Sequence, residues 1–253
     1  MTVKELYEYL DAKIPRSLSC EWDNDGLMCC PKPQREVKKI LVSLDVSEEI
    51  VDQAIKGEYD VILSHHPLVF RPIKSLTCDG GVARKLIKLV ENGIAVMSFH
   101  TRFDALEGGV NDVLASLLGL ENVMAFGDRE EIMGRIGEVK ETSLEDFADK
   151  VKTVLGSPVV LYNGDISVRK VAVLGGNGDD FVGAAIAAGA DTYVSGRIGY
   201  HMMADAKENG INLIEAGHYF TEAPSLEKLA EMAKIATTEA DIVVVNYNNI
   251  KAV

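Results

Sequence analysis

The sequence predicts an α/β protein made of two pseudo-symmetric α/β lobes, and three observations carry that reading. Short β-branched runs alternate with helical patterns. The pattern returns 131 residues later. Each copy ends its third strand on a histidine followed four residues on by a carboxylate.

Taken in order, "MTVKELYEYLDAKI" reads as a charged amphipathic helix rather than a signal peptide, so a cytoplasmic protein is expected. "KKILVSLDV" is a strand. Ser47 is placed to cap the helix "SEEIVDQAI", with Glu48 and Glu49 in its favoured first turn. "YDVILS" is the next strand, "GVARKLIKLVENG" a helix stopped at Gly93, and "IAVMSF" a third strand. This βαβαβ order predicts a mostly parallel sheet flanked by helices.

Sliding the chain by 131 residues lays "VKKILV" (37 to 42) on "VRKVAV" (168 to 173) and "AIKGEYDVILS" (54 to 64) on "AIAAGADTYVS" (185 to 195), without a gap. With one inserted residue, "NGIAVMSFHTRFD" pairs with "NGINLIEAGHYFTE", which sets His100 and Asp104 against His218 and Glu222. Duplication of one α/β unit explains this, with lobes expected over 1–125 and 126–253 and a terminal segment able to pack on the first lobe. The vicinal pair His65 and His66 is not repeated, since Gly196 and Arg197 face it. Two lobes meeting around one asymmetric site is the simplest picture.

Composition narrows the function classes. With 47% apolar residues in 253, the chain can bury a sizeable core, and no apolar run approaches the roughly 18 residues of a membrane span. A net charge of −13 argues against a nucleic-acid surface, which needs clustered Lys and Arg to displace counterions. Cys20, Cys29, Cys30 and Cys78 lack metal-knuckle spacing and read as reduced thiols. "GGNGDDF" (175 to 181) misses the phosphate-loop pattern and places two acids where phosphate would sit, so it reads as a tight structural turn. "WDNDGL" (22 to 27) also reads as structural, and His201 as a core or surface histidine.

His65, His66, His100 and His218 all fall just past predicted strands, where open α/β sheets bind ligands. With Asp104 and Glu222 they supply the nitrogen and oxygen donors of zinc, iron, manganese, cobalt or nickel, and a Glu can bridge two ions. Neighbouring side chains at a strand end diverge, so His65 and His66 are better suited to two ions than to one. A pair of divalent ions implies hydrolytic chemistry.

At "WDNDGL", "SHHPLVF", "HTRFDALEGGVND" and "GHYFTE", in register from about residue 1 to 250, the chain resembles the NIF-three-like family, also called GTP cyclohydrolase 1 type 2 homologues, in its short form. The resemblance implies two α/β lobes with a dinuclear metal site between them and a ring-shaped homohexamer. It implies His65, His66, Asp104, His218 and bridging Glu222 as ligands of two divalent ions, with His100 beside them as an acid–base group. Members often carry Asn where Arg102 stands and an acidic residue where Arg197 stands. Both changes add positive charge in loops expected to face the site, and suit an anionic small molecule or nucleotide. The expected function is a metal-dependent hydrolase, with GTP ring opening implied by the resemblance alone. The alternative is a non-enzymatic metal-binding regulator or partner-binding ring.

Overall fold

The computed structural model describes residues 1–128 and 131–251. In chain order the elements are α1 (Val3–Lys13), β1 (Gly26–Cys29), β2 (Lys39–Ser43), α2 (Glu48–Lys56), β3 (Val61–Ser64), α3 (Gly81–Asn92), β4 (Ala95–Ser98), α4 (Thr101–Ala105) and α5 (Val110–Leu117). There follow β5 (Glu121–Asp128), β6 (Glu131–Thr142), α6 (Leu144–Leu155), β7 (Leu161–Asn163), β8 (Val168–Asn177), α7 (Val182–Ala187), β9 (Thr192–Arg197) and α8 (Tyr200–Ala204). The chain closes with β10 (Asn212–Glu215), α9 (His218–Glu222), α10 (Leu226–Ala236) and β11 (Asp241–Val245).

Local chemistry sets the helix ends. Thr2 and Glu5 form a reciprocal capping box at the start of α1. Ser47 accepts from the Ile50 amide at 3.2 Å, as its position predicts, and Gly93 ends α3 in the left-handed conformation at φ 68°. Among the described residues, no helix is long and apolar enough to cross a membrane.

The chain forms two compact units. Unit 1 comprises Met1–Phe103 and Leu226–Tyr247, and its sheet runs β1-β4-β3-β2-β11. Strands β2, β3, β4 and β11 are parallel, and β1 is an antiparallel edge. Leu41, Ile50, Val51, Ile62, Leu89 and Val96 form its core between sheet and helices. Unit 2 comprises Asp104–Ser225 and the few residues from Asn248 on, with sheet order β5-β6-β8-β9-β10-β7. Its core joins Leu114, Leu118, Phe147, Val151, Val171, Val194 and Ile214.

The division differs from the expected boundary at 125/126. It falls inside the five-residue helix α4, with no Gly- or Pro-rich linker to announce it. Residues 104–125 go with unit 2 because α5 buries Leu114 and Leu118 in that core, and Asn111 bonds to Met133 O and to the Gly175 amide. Leu226–Tyr247 goes with unit 1 because α10 packs on α1 and β11 pairs with β2, Asp241 opposite Lys39.

The duplication is visible in the registers. Ile40 pairs with Val61 in unit 1, and Val171 with Thr192 in unit 2, the same 131-residue offset. Val61 pairs with Ala95, and Thr192 with Asn212, matching the alignment of "NGIA" with "NGIN" ahead of the inserted residue. The side chains agree as well. Asp60 accepts from the amides of Lys38 and Lys39 at 2.7 and 2.9 Å, and Asp191 from those of Arg169 and Lys170 at 3.0 and 2.7 Å.

Candidate metal centre

In unit 1 the chemistry lies just beyond the carboxyl ends of the parallel strands. After β3, the amides of His65 and His66 continue the ladder by donating to Ser43 O and Leu44 O, and after β4 the Phe99 amide donates to Ser64 O. These bonds fix the backbone from which His65, His66 and His100 project. The three imidazoles gather there, with ring centroids 5.1 Å (His65 to His66), 5.3 Å (His65 to His100) and 5.7 Å (His66 to His100) apart. Each offers a nitrogen within 4.8 Å of the other two.

Each imidazole is also oriented through Nδ1. His65, fully buried, bonds through Nδ1 to the Phe99 carbonyl at 2.9 Å. A carbonyl only accepts, so Nδ1 carries the proton and Nε2 the lone pair in the neutral ring. His66 Nδ1 bonds to Asp45 Oδ1 at 2.8 Å, and His100 Nδ1 to Asp23 Oδ1 at 2.9 Å. Asp23 further accepts from the Thr101 amide and hydroxyl at 3.1 and 2.6 Å. Burial alone would raise its carboxyl, but bonds from His100 and Thr101 and the charge of His100 hold it at about 2. Three rings tethered at Nδ1 with Nε2 left as the donor atom form the arrangement in which protein carboxylates and carbonyls orient metal-ligating histidines.

Unit 2 supplies carboxylates. His218 and Glu222, one turn apart on α9, meet through Nε2 and Oε2 at 3.0 Å. Carboxylate oxygens of Asp104 and Glu222 lie within 4.8 Å of each other, and both residues are buried. Two buried carboxylates this close repel when ionised, and a divalent cation would offset that cost. Asn111 secures the Asp104 end, donating to its carbonyl at 3.2 Å while accepting from the Gly175 amide at 2.7 Å.

"GGNGDDF" differs from the expected tight turn: its first three residues finish β8 and Asp179–Phe181 form a single 3₁₀ turn, and its glycines make room for the ligands. Gly176 has φ +70°, and a Cβ there would sit 2.2 Å from Glu222 Oε1 and 3.3 Å from His218 Nε2. At Gly196 a Cβ would meet Thr221 Oγ1 at 2.6 Å. In unit 1 the tethered imidazoles, and in unit 2 the Asp104, His218 and Glu222 group with its glycine cradle, each carry donors that fit a metal ion.

Arg102 is the clear correction. It was expected in a loop facing substrate, but it is fully buried in unit 1. Nε donates to Asp25 at 2.9 Å, Nη1 to Asp11 at 2.7 Å and to Ile14 O at 2.8 Å, and the guanidinium lies 4.5 Å from the centroid of Phe99. Burial works against its charge, while the bond to Asp11 and the charge of Asp25 outweigh it and raise its proton affinity. Arg102 is therefore a packing staple. On helix α4 its side chain takes a different direction from that of Asp104, and residue spacing without the fold did not reveal which way it faced. Arg197 ends β9 exposed to solvent. His201 is a surface residue on α8 beside Tyr200.

The sequence reading missed Asp23 and Asp45. Both had a usable signal: Asp45 lies two residues past the end of β2, at the same sheet edge as the histidine doublet, and Asp23 stands in the acidic motif "WDNDGL". That motif is structural, as expected, through Asp25, but its Asp23 orients a ring of the cluster. The four cysteines are free, and burial beside Cys30 pushes the Cys29 thiol up to about 11.

Comparison with known proteins agrees with this geometry. The model of the family described as Duf34/NIF3 (NGG1p interacting factor 3) matches residues 1–250. A "GTP cyclohydrolase 1 type 2 homolog" from Clostridium perfringens is 34% identical over 241 residues, covering 92% of each chain. The structure of reduced HcgD from Methanocaldococcus jannaschii superposes with TM-score 0.85 at 32% identity, covering 98% of both chains. A Bacillus cereus protein related to NIF3 shares the fold at TM-score 0.90 and 24% identity, covering 100% of this chain and 99% of its own.

Proposed function

The chain belongs to the Duf34/NIF3 family, and from that premise we propose that it is a metal-dependent hydrolase with a dinuclear centre held by His65, His66, Asp104, His218 and Glu222. The observation that carries the reading is the imidazole trio of unit 1, each ring tied at Nδ1 and presenting a nitrogen to the others. Unit 2 carries a second donor group, the buried Asp104 and Glu222 pair with His218 on Glu222. Zinc, iron, manganese, cobalt and nickel all suit such donors. When bound, a pair of divalent ions supplies Lewis acidity and an acidified water.

The protein groups divide the remaining work. Glu222, with two oxygens and a seat shaped by Gly176, is suited to bridge. His65 and His66 hold fixed tautomers, so no proton need be displaced from their donor nitrogens. His100 differs because its tether is a buried carboxylate, which fixes the orientation of its ring and suits it to the acid–base role. The names of the relatives support a nucleotide such as GTP as substrate. Of the two arginines expected to meet an anionic substrate, Arg197, exposed at a strand end, is suited to it.

The family's description as an interacting factor favours a second reading, a metal-holding platform for partners assembled as a homohexamer. Edge strand β5, with Val123 and Met124 exposed, supports contacts between copies. Metal analysis with a hydrolysis screen over nucleotides and phosphoesters separates the readings. Near-stoichiometric metal with turnover that disappears in Glu222→Ala supports the hydrolase, whereas full metal without turnover of any compound favours the platform.

A further inference from the structure

Beside the imidazole trio, unit 1 exposes two large aromatic rings. Trp22, the chain's one tryptophan, is 56% exposed and Phe70 is 43% exposed. Their centroids lie 6.2 Å apart, and they lie 6.3 and 6.2 Å from the ring of His100. The contacts are edge-to-face, with interplanar angles of 70°, 77° and 88°, so much of each apolar ring surface stays toward solvent.

Leaving this surface wet forgoes the hydrophobic gain of burial, so a role confined to folding is a poor account of it. The rings are also braced. Asp23, next to Trp22, is bound to Thr101 and His100, and the Cys20 amide donates to Thr101 Oγ1 at 3.0 Å. Asn24 Nδ2 donates to Val69 O, which ties the loop of Trp22 to the loop of Phe70. A stacking surface held in place before its ligand arrives spares the entropy of ordering it.

We propose that Trp22 and Phe70 form the binding wall for a planar nitrogen heteroaromatic ring of a small-molecule ligand, stacked so that its edge is presented to His100 and the neighbouring imidazoles. Two rings 6.2 Å apart offer flat faces to a single planar ring, and an electron-poor heterocycle complements the electron-rich face of indole. The inference deepens the hydrolase reading by naming the chemical class of its substrate, and it depends on that reading only for what happens after binding.

The test is calorimetric titration of the full-length, metal-loaded protein with guanosine 5′-monophosphate, 6-hydroxymethylpterin and flavin mononucleotide, with ribose 5-phosphate as the control lacking an aromatic ring. At least one ring-bearing probe is expected to bind at least tenfold more tightly than the control. Trp22→Ala and Phe70→Ala are each expected to weaken it roughly tenfold or more, the scale of one aromatic stack, while Trp22→Phe keeps most of the affinity. Circular dichroism and metal content should be unchanged in all three variants. Ring binding that persists after metal is stripped supports the wall even if the hydrolase reading fails. Metal-replete protein that binds no ring better than ribose 5-phosphate overturns the wall and leaves the metal reading standing. Equal ring affinity in Trp22→Ala, or a fall in its oligomeric mass, also overturns it, the latter by assigning the rings to contact between copies.

Discussion

His100 Nδ1 and Asp23 Oδ1 lie 2.9 Å apart, joining a residue at the end of β4 to a buried carboxylate in the loop before β1. The pair orients the ring of His100 and places the Nδ1 hydrogen toward the carboxylate. Asp23→Asn removes the negative charge with little change of shape. The expected outcome is metal content near wild type and hydrolysis of any identified substrate reduced about 10²- to 10⁴-fold, the usual worth of a positioned acid–base group. Nitrogen-15 chemical shifts give a readout independent of substrate: the Nδ1–H form of His100 should lose population while that of His65, tied to the Phe99 carbonyl, persists.

Glu222 and Gly176 should fail together. Gly176→Ala puts a methyl where Glu222 Oε1 sits and forces a side chain into the left-handed region. Metal affinity should fall about 10- to 100-fold, and stability by roughly 1–3 kcal/mol. Equilibrium dialysis with metal analysis, alongside urea unfolding, checks both. Unchanged metal affinity would show that Glu222 is not a ligand.

Arg102 should govern stability rather than substrate affinity. Its pair with Asp25 is fully buried on both sides, and the longer contact of Asp25 with the exposed Arg16 at 3.7 Å is a weak replacement, so Arg102→Ala should cost about 3–5 kcal/mol. Arg102→Lys should recover only part, because a lysine cannot fork between Asp25, Asp11 and Ile14 O. Asp11→Asn should cost less than about 1 kcal/mol, since that carboxylate is partly exposed. Urea midpoints for the three variants test the order.

Asp60 and Asp191 hold equivalent backbone amides in the two units, so Asp60→Ala and Asp191→Ala should each destabilise by roughly 1.5–3 kcal/mol. Asp60 should be the costlier loss, because it is more buried and also pairs with Arg35 at 2.5 Å. Equal effects would place the weight on the amides alone.

Thiol chemistry should follow burial. With Cys29 pushed up to about 11, only about one part in a thousand is thiolate at pH 8, whereas Cys78 is exposed. Iodoacetamide at pH 8, followed by mass spectrometry, should label Cys78 first and Cys29 last. Raising the pH toward 11 should increase the Cys29 rate, because its raised pKa withholds the thiolate until then.

The sequence by itself determined the βαβαβ strands and helices of the first lobe, their copy 131 residues on, and the His and carboxylate motifs. Each depends on local periodicity, capping or spacing, and such signals survive without knowledge of the fold. Strand pairing was not legible in that alignment, but the structure repeats it, Ile40 with Val61 in one unit and Val171 with Thr192 in the other. Tertiary structure decided what depends on direction and on distant partners. Whether Arg102 faced solvent or Asp25 depended on the turn of a five-residue helix, and only packing against α1 and the loop before β1 fixed it. Asp23 and Asp45 became partners of His100 and His66 through contacts 77 and 21 residues apart, which no local pattern encodes. The unit boundary fell within α4 because α5 buries its apolar face in the second core, and burial of that kind is settled by the whole fold rather than by the residues at the boundary.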